Sequence, residues 1–115
     1  MKKNIISEKS FQFSLTIIDL CAALQEKREF VISKQLLRSA TSIGANVRES
    51  SAAHSKKDFI SKLTIASKEA RETQYWLELL NNSSRFDICL EDHLKEIDEI
   101  IRILSSIIIT LSRSK

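Results

Sequence analysis

Two histidines, two cysteines and a few spaced carboxylates are the residues of this 115-residue chain whose types could support a reaction. His54 and His93 lack a Cys, Ser or Asp at a spacing that suggests a nucleophilic triad. Glu69 and Glu72 share a helix face at i,i+3, as metal-binding carboxylates can. A di-metal site in a helical bundle, however, needs Glu-x-x-His on two helices and further glutamates. The nearest candidate, Glu96 with Glu99, has no histidine three residues on. Salt bridges from Glu69 and Glu72 to Lys68, Arg71 or a neighbouring helix are the simpler reading. Cys21 and Cys89 have no metal-ligand spacing and read as buried, reduced thiols of a cytoplasmic protein. No catalytic residue, metal or cofactor is expected.

A polar line has more to say. Arg38, Ser42, Asn46 and Glu49 recur at spacings of 4, 4 and 3, so they share one helix face. Such a line can hydrogen-bond a neighbouring helix or subunit, or hold a ligand. The structural role is preferred, with Arg38 pairing Glu69 or Glu72 as a partly buried, register-setting ion pair. Lys34, Arg48, Lys56, Lys57, Lys62 and Lys68 form a basic set that could contact phosphates. Lys56-Lys57 stands at a helix N-terminus, where backbone N–H groups also favour anions. No aromatic interleaving or nucleic-acid motif accompanies the set, so a solvated face competes with a binding surface. Copies arranged in a ring would repeat the patch and strengthen its field.

The elements that must position these residues are four helices. Proline is absent and glycine occurs once, at Gly44, which disfavours hairpins and β-rich folds. The last helix, about 88–113, carries Leu90, Leu94, Ile97, Ile101, Leu104, Ile108 and Leu111 at alternating spacings of 4 and 3. Ile100, Ile103 and Ile107 run beside that seam. Asp87, Glu91 and Asp92 at its start and Arg113 and Lys115 at its end suit the helix dipole. The third helix, about 56–82, repeats the seam through Phe59, Leu63, Ala66, Ala70, Thr73, Leu77 and Leu80, with Ser55 and Asp58 as a capping signal. The first, about 7–26, has Phe13, Ile17, Leu20 and Leu24 in one stripe and Phe11, Leu15, Ile18 and Ala22 in another. The second, about 30–53, buries Ile32, Leu36, Ala40, Ile43 and Val47. There Gly44 either permits a close helix approach or is a tolerated surface glycine. Short connections imply an all-α, up-down-up-down four-helix bundle in one domain.

Composition sets further limits. Charged residues make up 29% and hydrophobic ones 43%, an ordinary globular balance. The apolar run from Ile100 to Leu111 contains Arg102 and would reach about 18 Å, short of the roughly 30 Å bilayer core. Lys2 and Lys3 are followed by too short an apolar run for a secretory signal. The net charge of +3 divides along the chain. Residues 30–77 hold eight Lys/Arg against four Asp/Glu, whereas residues 78–99 hold two against seven. Paired apolar stripes on several helices exceed what one bundle buries, so a homo-oligomer is expected, with Trp76, Ile100, Ile103 and Ile107 at its interface. A monomer with a generous core is the alternative.

The segment from Gln35 to Leu80 resembles the four-helix-bundle proteins encoded by intervening sequences in bacterial 23S rRNA genes. The resemblance rests on Gln35-x-x-Arg38 through Asn46-x-x-Glu49, then Ser55-Lys56-Lys57-Asp58-Phe59. It extends to Lys9-Ser10-Phe11 and Leu24-Gln25-Glu26-Lys27, and resumes in Glu99-Ile100-Ile101-Arg102-Ile103-Leu104. Ser51-Ala52-Ala53 departs from it, since many relatives place a glycine after the Glu49 position. The resemblance implies an antiparallel bundle assembled as a ring-like homopentamer, with no established enzymatic activity. The chain is also similar to the accessory protein of diversity-generating retroelements, a basic pentameric barrel associated with a reverse transcriptase and nucleic acid. Structured RNA, DNA or a nucleic-acid enzyme is therefore the expected partner, met through the basic helix 2–helix 3 surface, with no membrane. A protein partner on the acidic 87–99 stretch or in the pentamer channel is the second expectation.

Overall fold

The computed structural model describes residues 4–113. Lys2 and Lys3, weighed above as a signal, and Lys115, placed at the last helix end, lie outside the described residues. Four helices account for the fold: α1 Ile5–Glu26, α2 Val31–Ser50, α3 Lys56–Asn82 and α4 Glu91–Arg113. No strand occurs among the described residues. Each helix packs beside two others, in the cyclic order α1–α2–α3–α4–α1, and no diagonal pair brings Cα atoms within 8 Å. That arrangement closes four helices around one core.

Each helix end has a local cause. Asn4 caps α1 by accepting from the Ser7 backbone N–H at 3.2 Å, so the helix begins at Ile5 rather than at Ser7. At its other end Arg28 takes a left-handed φ of 68°. The Glu29 N–H then reaches Leu24 O and the Arg28 N–H reaches Gln25 O, which satisfies two terminal carbonyls. Glu29 turns directly into the cap of α2. Its buried carboxylate accepts from Ile32 N at 3.0 Å and Ser33 N at 2.6 Å, and Ser33 Oγ donates back to Glu29 O. α2 ends at Ser50, short of the expected 53, where Ser50 and Ser51 hydroxyls return to Val47 O and Arg48 O. Ser55 Oγ accepts from Asp58 N at 3.0 Å and starts α3. α4 starts at Glu91 rather than 88, because Asn81 Oδ1 accepts from Leu90 N at 2.7 Å and holds residues 88–90 out of the helix.

The core follows the seams. Leu63, Ala66, Ala70, Thr73, Leu77 and Leu80 of α3 are buried, as are Leu36, Ala40, Ile43 and Val47 of α2. Phe13, Ile17, Cys21 and Leu24 of α1 and Ile97, Ile100, Ile101 and Leu104 of α4 belong to the same cluster. Each large aliphatic buried this way contributes about 1.5–3 kcal/mol. Two buried hydroxyls, Ser39 and Thr73, lie 2.7 Å apart across α2 and α3. Gly44 faces α1. An added Cβ there would sit 3.5 Å from Ser14 Oγ and 3.6 Å from Ser10 O, which is ordinary van der Waals contact. The helices do approach closely here, but the gap has room for a methyl group.

Two sequence expectations change. Ile100 is 1% exposed and belongs to the core of the single chain, so it is unavailable to a partner. Cys89 is exposed, because it lies in the extended segment before α4 rather than inside the helix.

Candidate nucleic-acid interface

The α2–α3 surface contains most of the residues singled out by the sequence, and it separates them into two kinds. Arg38 bridges both glutamates, with Nη1 at 3.2 Å from Glu69 Oε1 and Nη2 hydrogen-bonded to Glu72. Glu72 also accepts from Trp76 Nε1 at 3.0 Å. The Arg38 hydrogen bond therefore holds the Glu72 carboxyl below the usual carboxylate range, with Trp76 assisting, against partial desolvation. Reciprocally, the Glu72 bond raises the Arg38 guanidinium. The Arg38 side chain is 48% exposed, so this is a solvated clamp rather than the partly buried pair expected. Glu49 meets Lys62 at 3.3 Å. Between these bridges, Asn46 donates to Ser42 O at 2.9 Å and so stays within α2. The polar line thus ties α2 to α3 at its two ends and closes on itself in the middle.

The basic residues divide by height along the bundle. Arg48, Lys56, Lys57 and Lys62 lie at the end where α2 passes into α3, with Arg48 turned toward Phe11 of α1 and Lys62 toward Glu49 of α2. Lys34 lies in the first turn of α2, about 21 Å from Arg48 along the helix. Lys68 stands exposed about 18 Å along α3 from Lys56. The six do not form one continuous patch. At the α2–α3 end Lys62 is engaged by Glu49, and the Arg48 guanidinium lies 5.6 Å from the Phe11 ring centroid. Lys56 and Lys57 are exposed at the α3 N-terminus, where the helix dipole adds to their positive field. Asp58, whose backbone N–H is already taken by Ser55, tempers it.

No reactive constellation forms around the remaining candidates. The Cys21 thiol donates to Ser33 O at 3.2 Å, and burial, with Glu29 nearby, pushes it up to about 11. It is therefore a thiol at neutral pH and a poor nucleophile. His54 is exposed, its backbone N–H 3.4 Å from Asp58. His93 is half-buried, with Nδ1 lacking a hydrogen-bond partner, and burial lowers its pKa against the opposing pull of Glu96 and Asp92. Among the described residues no group of three His, Cys, Asp or Glu could hold a metal ion. No described helix is long and apolar enough to cross a membrane.

Sequence reasoning missed the Glu29 cap, the Phe11–Arg48 contact and the Ser39–Thr73 pair. Glu29 had a signal, an acid four residues before a buried serine at a helix start. Phe11 over Arg48 had none, because the two are 37 positions apart.

Of the four predicted interface residues, Trp76, Ile103 and Ile107 are half-buried and pack on the core, as the buried Ile100 does. The most exposed mid-helix apolar side chains lie elsewhere, on α1 and the outer face of α3.

This geometry is that of an all-α four-helix protein in which Arg38 and Glu49 of α2 bridge to Glu69, Glu72 and Lys62 of α3. The chain belongs to the family described as 23S rRNA-intervening sequence protein, whose profile matches residues 2–106. A similar solved structure is the 1.70 Å crystal structure of a protein of unknown function from the S23 ribosomal protein family of Bacteroides thetaiotaomicron. It is 48% identical, with a TM-score of 0.84, covering 90% of this chain and 97% of that one. No curated protein matches the chain.

Proposed function

We propose that this chain is a non-enzymatic, cytoplasmic assembly module: an antiparallel up-down-up-down bundle that forms a homopentamer. It contacts structured RNA or a nucleic-acid-processing partner through the basic end of its α2–α3 surface. The observation that carries the reading is the placement of Lys56 and Lys57, exposed at a helix N-terminus at the same end of the bundle as Arg48. Backbone N–H groups and ammonium groups there act on the same phosphate. Opposed contacts support the topology. Cys21, Ser14 and Phe11 meet Ser33, Gly44 and Arg48, so α1 descends as α2 climbs. Arg38 and Glu49 likewise meet Glu69 and Lys62. Five copies around one axis present five basic ends on one rim, which multiplies the field.

Light scattering of the purified protein is expected to give a mass about five times the 13.1 kDa chain. Binding to a structured RNA and to duplex DNA, measured at about 50 and about 200 mM salt, is expected to weaken steeply with salt. Lys56→Glu/Lys57→Glu should abolish it. Absence of binding at the lower salt overturns the nucleic-acid reading. It would favour a protein-only scaffold docking on the exposed acids of the 87–99 stretch (Asp87, Glu91, Asp92 and Glu96) or in the pentamer channel.

A further inference from the structure

Two mid-helix apolar surfaces remain uncovered, and they carry opposite charge. On α1, Phe11, Leu15 and Ile18 are 47%, 44% and 47% exposed and lie at spacings of four and three. Asp19 and Glu26 share that outer side, exposed and in no ion pair among the described residues. On α3, Ile65, Tyr75 and Leu79 are 39%, 54% and 38% exposed. Lys68 and Arg71 stand exposed between Ile65 and Tyr75, against one exposed acid, Glu78, beside Leu79, so the surface is basic on balance. Of the other large exposed hydrophobics, Ile5, Phe30 and Val31 sit at helix ends, and Ile109 stands alone on α4, about as far from its C-terminus as Leu79 is from that of α3. Because α1 and α3 are diagonal, with no Cα atoms within 8 Å of each other, the two surfaces lie on different sides of one bundle.

We infer that the α1 surface of one copy packs against the α3 surface of the next. This deepens the homo-oligomer reading, on which it rests, by naming its two faces and its second occupant, another copy of this chain. Charge decides the pairing. An α1–α1 contact would oppose acids to acids and an α3–α3 contact bases to bases, whereas α1 on α3 pairs them. Heights agree as well. Phe11 meets Arg48, whose neighbour Glu49 holds Lys62, so Phe11 is level with the turn leading to Ile65. Cys21 meets Ser33, while Arg38 and Ser39 meet Glu69 to Thr73, so Asp19 falls within about a turn of Arg71 and Tyr75.

Such a contact joins unlike surfaces, so it propagates from copy to copy instead of stopping at a symmetric dimer. Both surfaces lean toward α2. Phe11 carries Arg48 of α2, and Glu72, beside Tyr75 on α3, holds Arg38 of α2. Successive copies therefore turn about an axis on the α2 side, the condition for a ring. Lys68 is then occupied by the neighbouring copy and Arg48, stacked on Phe11, borders the contact, which leaves Lys56 and Lys57 at the rim.

Light scattering on the full chain tests this with Leu15→Arg, which blocks the α1 face, and Tyr75→Arg, which blocks the α3 face. Each variant alone should fall to the mass of one chain while keeping its helical circular dichroism. An equimolar mixture should stop at two chains, since one intact α1 face meets one intact α3 face. The milder Leu15→Ser and Tyr75→Ser should weaken assembly in the same direction. Either arginine variant keeping the wild-type mass overturns the assignment of faces while the oligomer stands. A mixture that stays at one chain overturns the unlike-face pairing. Wild type running as one chain would instead remove the oligomer itself.

Discussion

α1 and α4 each carry two apolar stripes, yet one pair ends inside the protein and the other does not. On α4, Ile97 and Ile100 are both buried, and Ile103 and Ile107 are half-covered. On α1, Ile17 is buried while Ile18 is 47% exposed. The difference lies in the offset between stripes. On α4 the stripes lie one residue apart (Ile100 with Ile101, Ile103 with Leu104, Ile107 with Ile108), about 100° around the helix, so they merge into one arc that α3 and α1 cover together. On α1 they lie two residues apart (Phe11 with Phe13, Leu15 with Ile17, Ile18 with Leu20), about 160°, so one core cannot take both. Adjacent stripes enlarge a core, whereas separated stripes leave a face for something else.

Replacing residues on each side of that divide tests it, beginning with the largest effect. Ile100→Ala should cost the chain about 2–5 kcal/mol, read by urea denaturation at several protein concentrations. A cost no greater than that of Leu15→Ala would break the comparison. Gly44→Ala should stabilise by about 0.5–1 kcal/mol, because the α1–α2 contact has room for the methyl and the helix gains from losing a glycine. A loss of stability would mean that the two helices are pressed closer than their side chains show.

Covered and bare polar pairs extend the contrast. Ser39→Ala removes a buried hydroxyl bonded to Thr73 and should cost about 0.5–1.5 kcal/mol. A double-mutant cycle on the exposed Arg38–Glu72 pair should yield a coupling of only about 0.2–1 kcal/mol. That coupling depends on pH in a defined direction. Glu72 is held below its ordinary 4.5, so the pair is intact above that value and is lost as pH falls through the lowered one. Arg38 remains charged throughout. His93 adds an acid-side loss of its own, since burial keeps it below its ordinary 6.5 and the unfolded chain takes up the proton first. Stability is complete above 6.5 and declines below it, and His93→Gln should flatten that decline in a pH series of thermal melts. Leu15→Ala should leave the folded chain within about 0.5 kcal/mol of wild type, the smallest effect of all.

Much of the fold was legible. Heptad spacing picked out Phe59, Leu63, Ala66, Ala70, Thr73, Leu77 and Leu80; Phe59 is half-buried and the other six are buried. Ser55 and Asp58 marked a helix start that the structure places at Lys56. The candidate site was legible in its residues and less so in its grouping. Arg38 with Glu69 and Glu72 was anticipated as a choice between two acids, and the guanidinium takes both. The basic set read as one surface, but helix rise separates Lys34 from Lys56 and Lys57. The interface residues were assigned from stripe richness alone, which ignored the angle between stripes.

By itself, the sequence determined the helices and their inward faces, because periodicity and capping act over three or four residues. Tertiary structure alone decided which surplus apolar face stays bare, that Glu29 is buried as a cap, and that Leu90 is tied to Asn81 before α4 can start. It also set Phe11 of α1 against Arg48 of α2. Those outcomes depend on how helices distant in sequence meet in space, and no local pattern encodes that meeting.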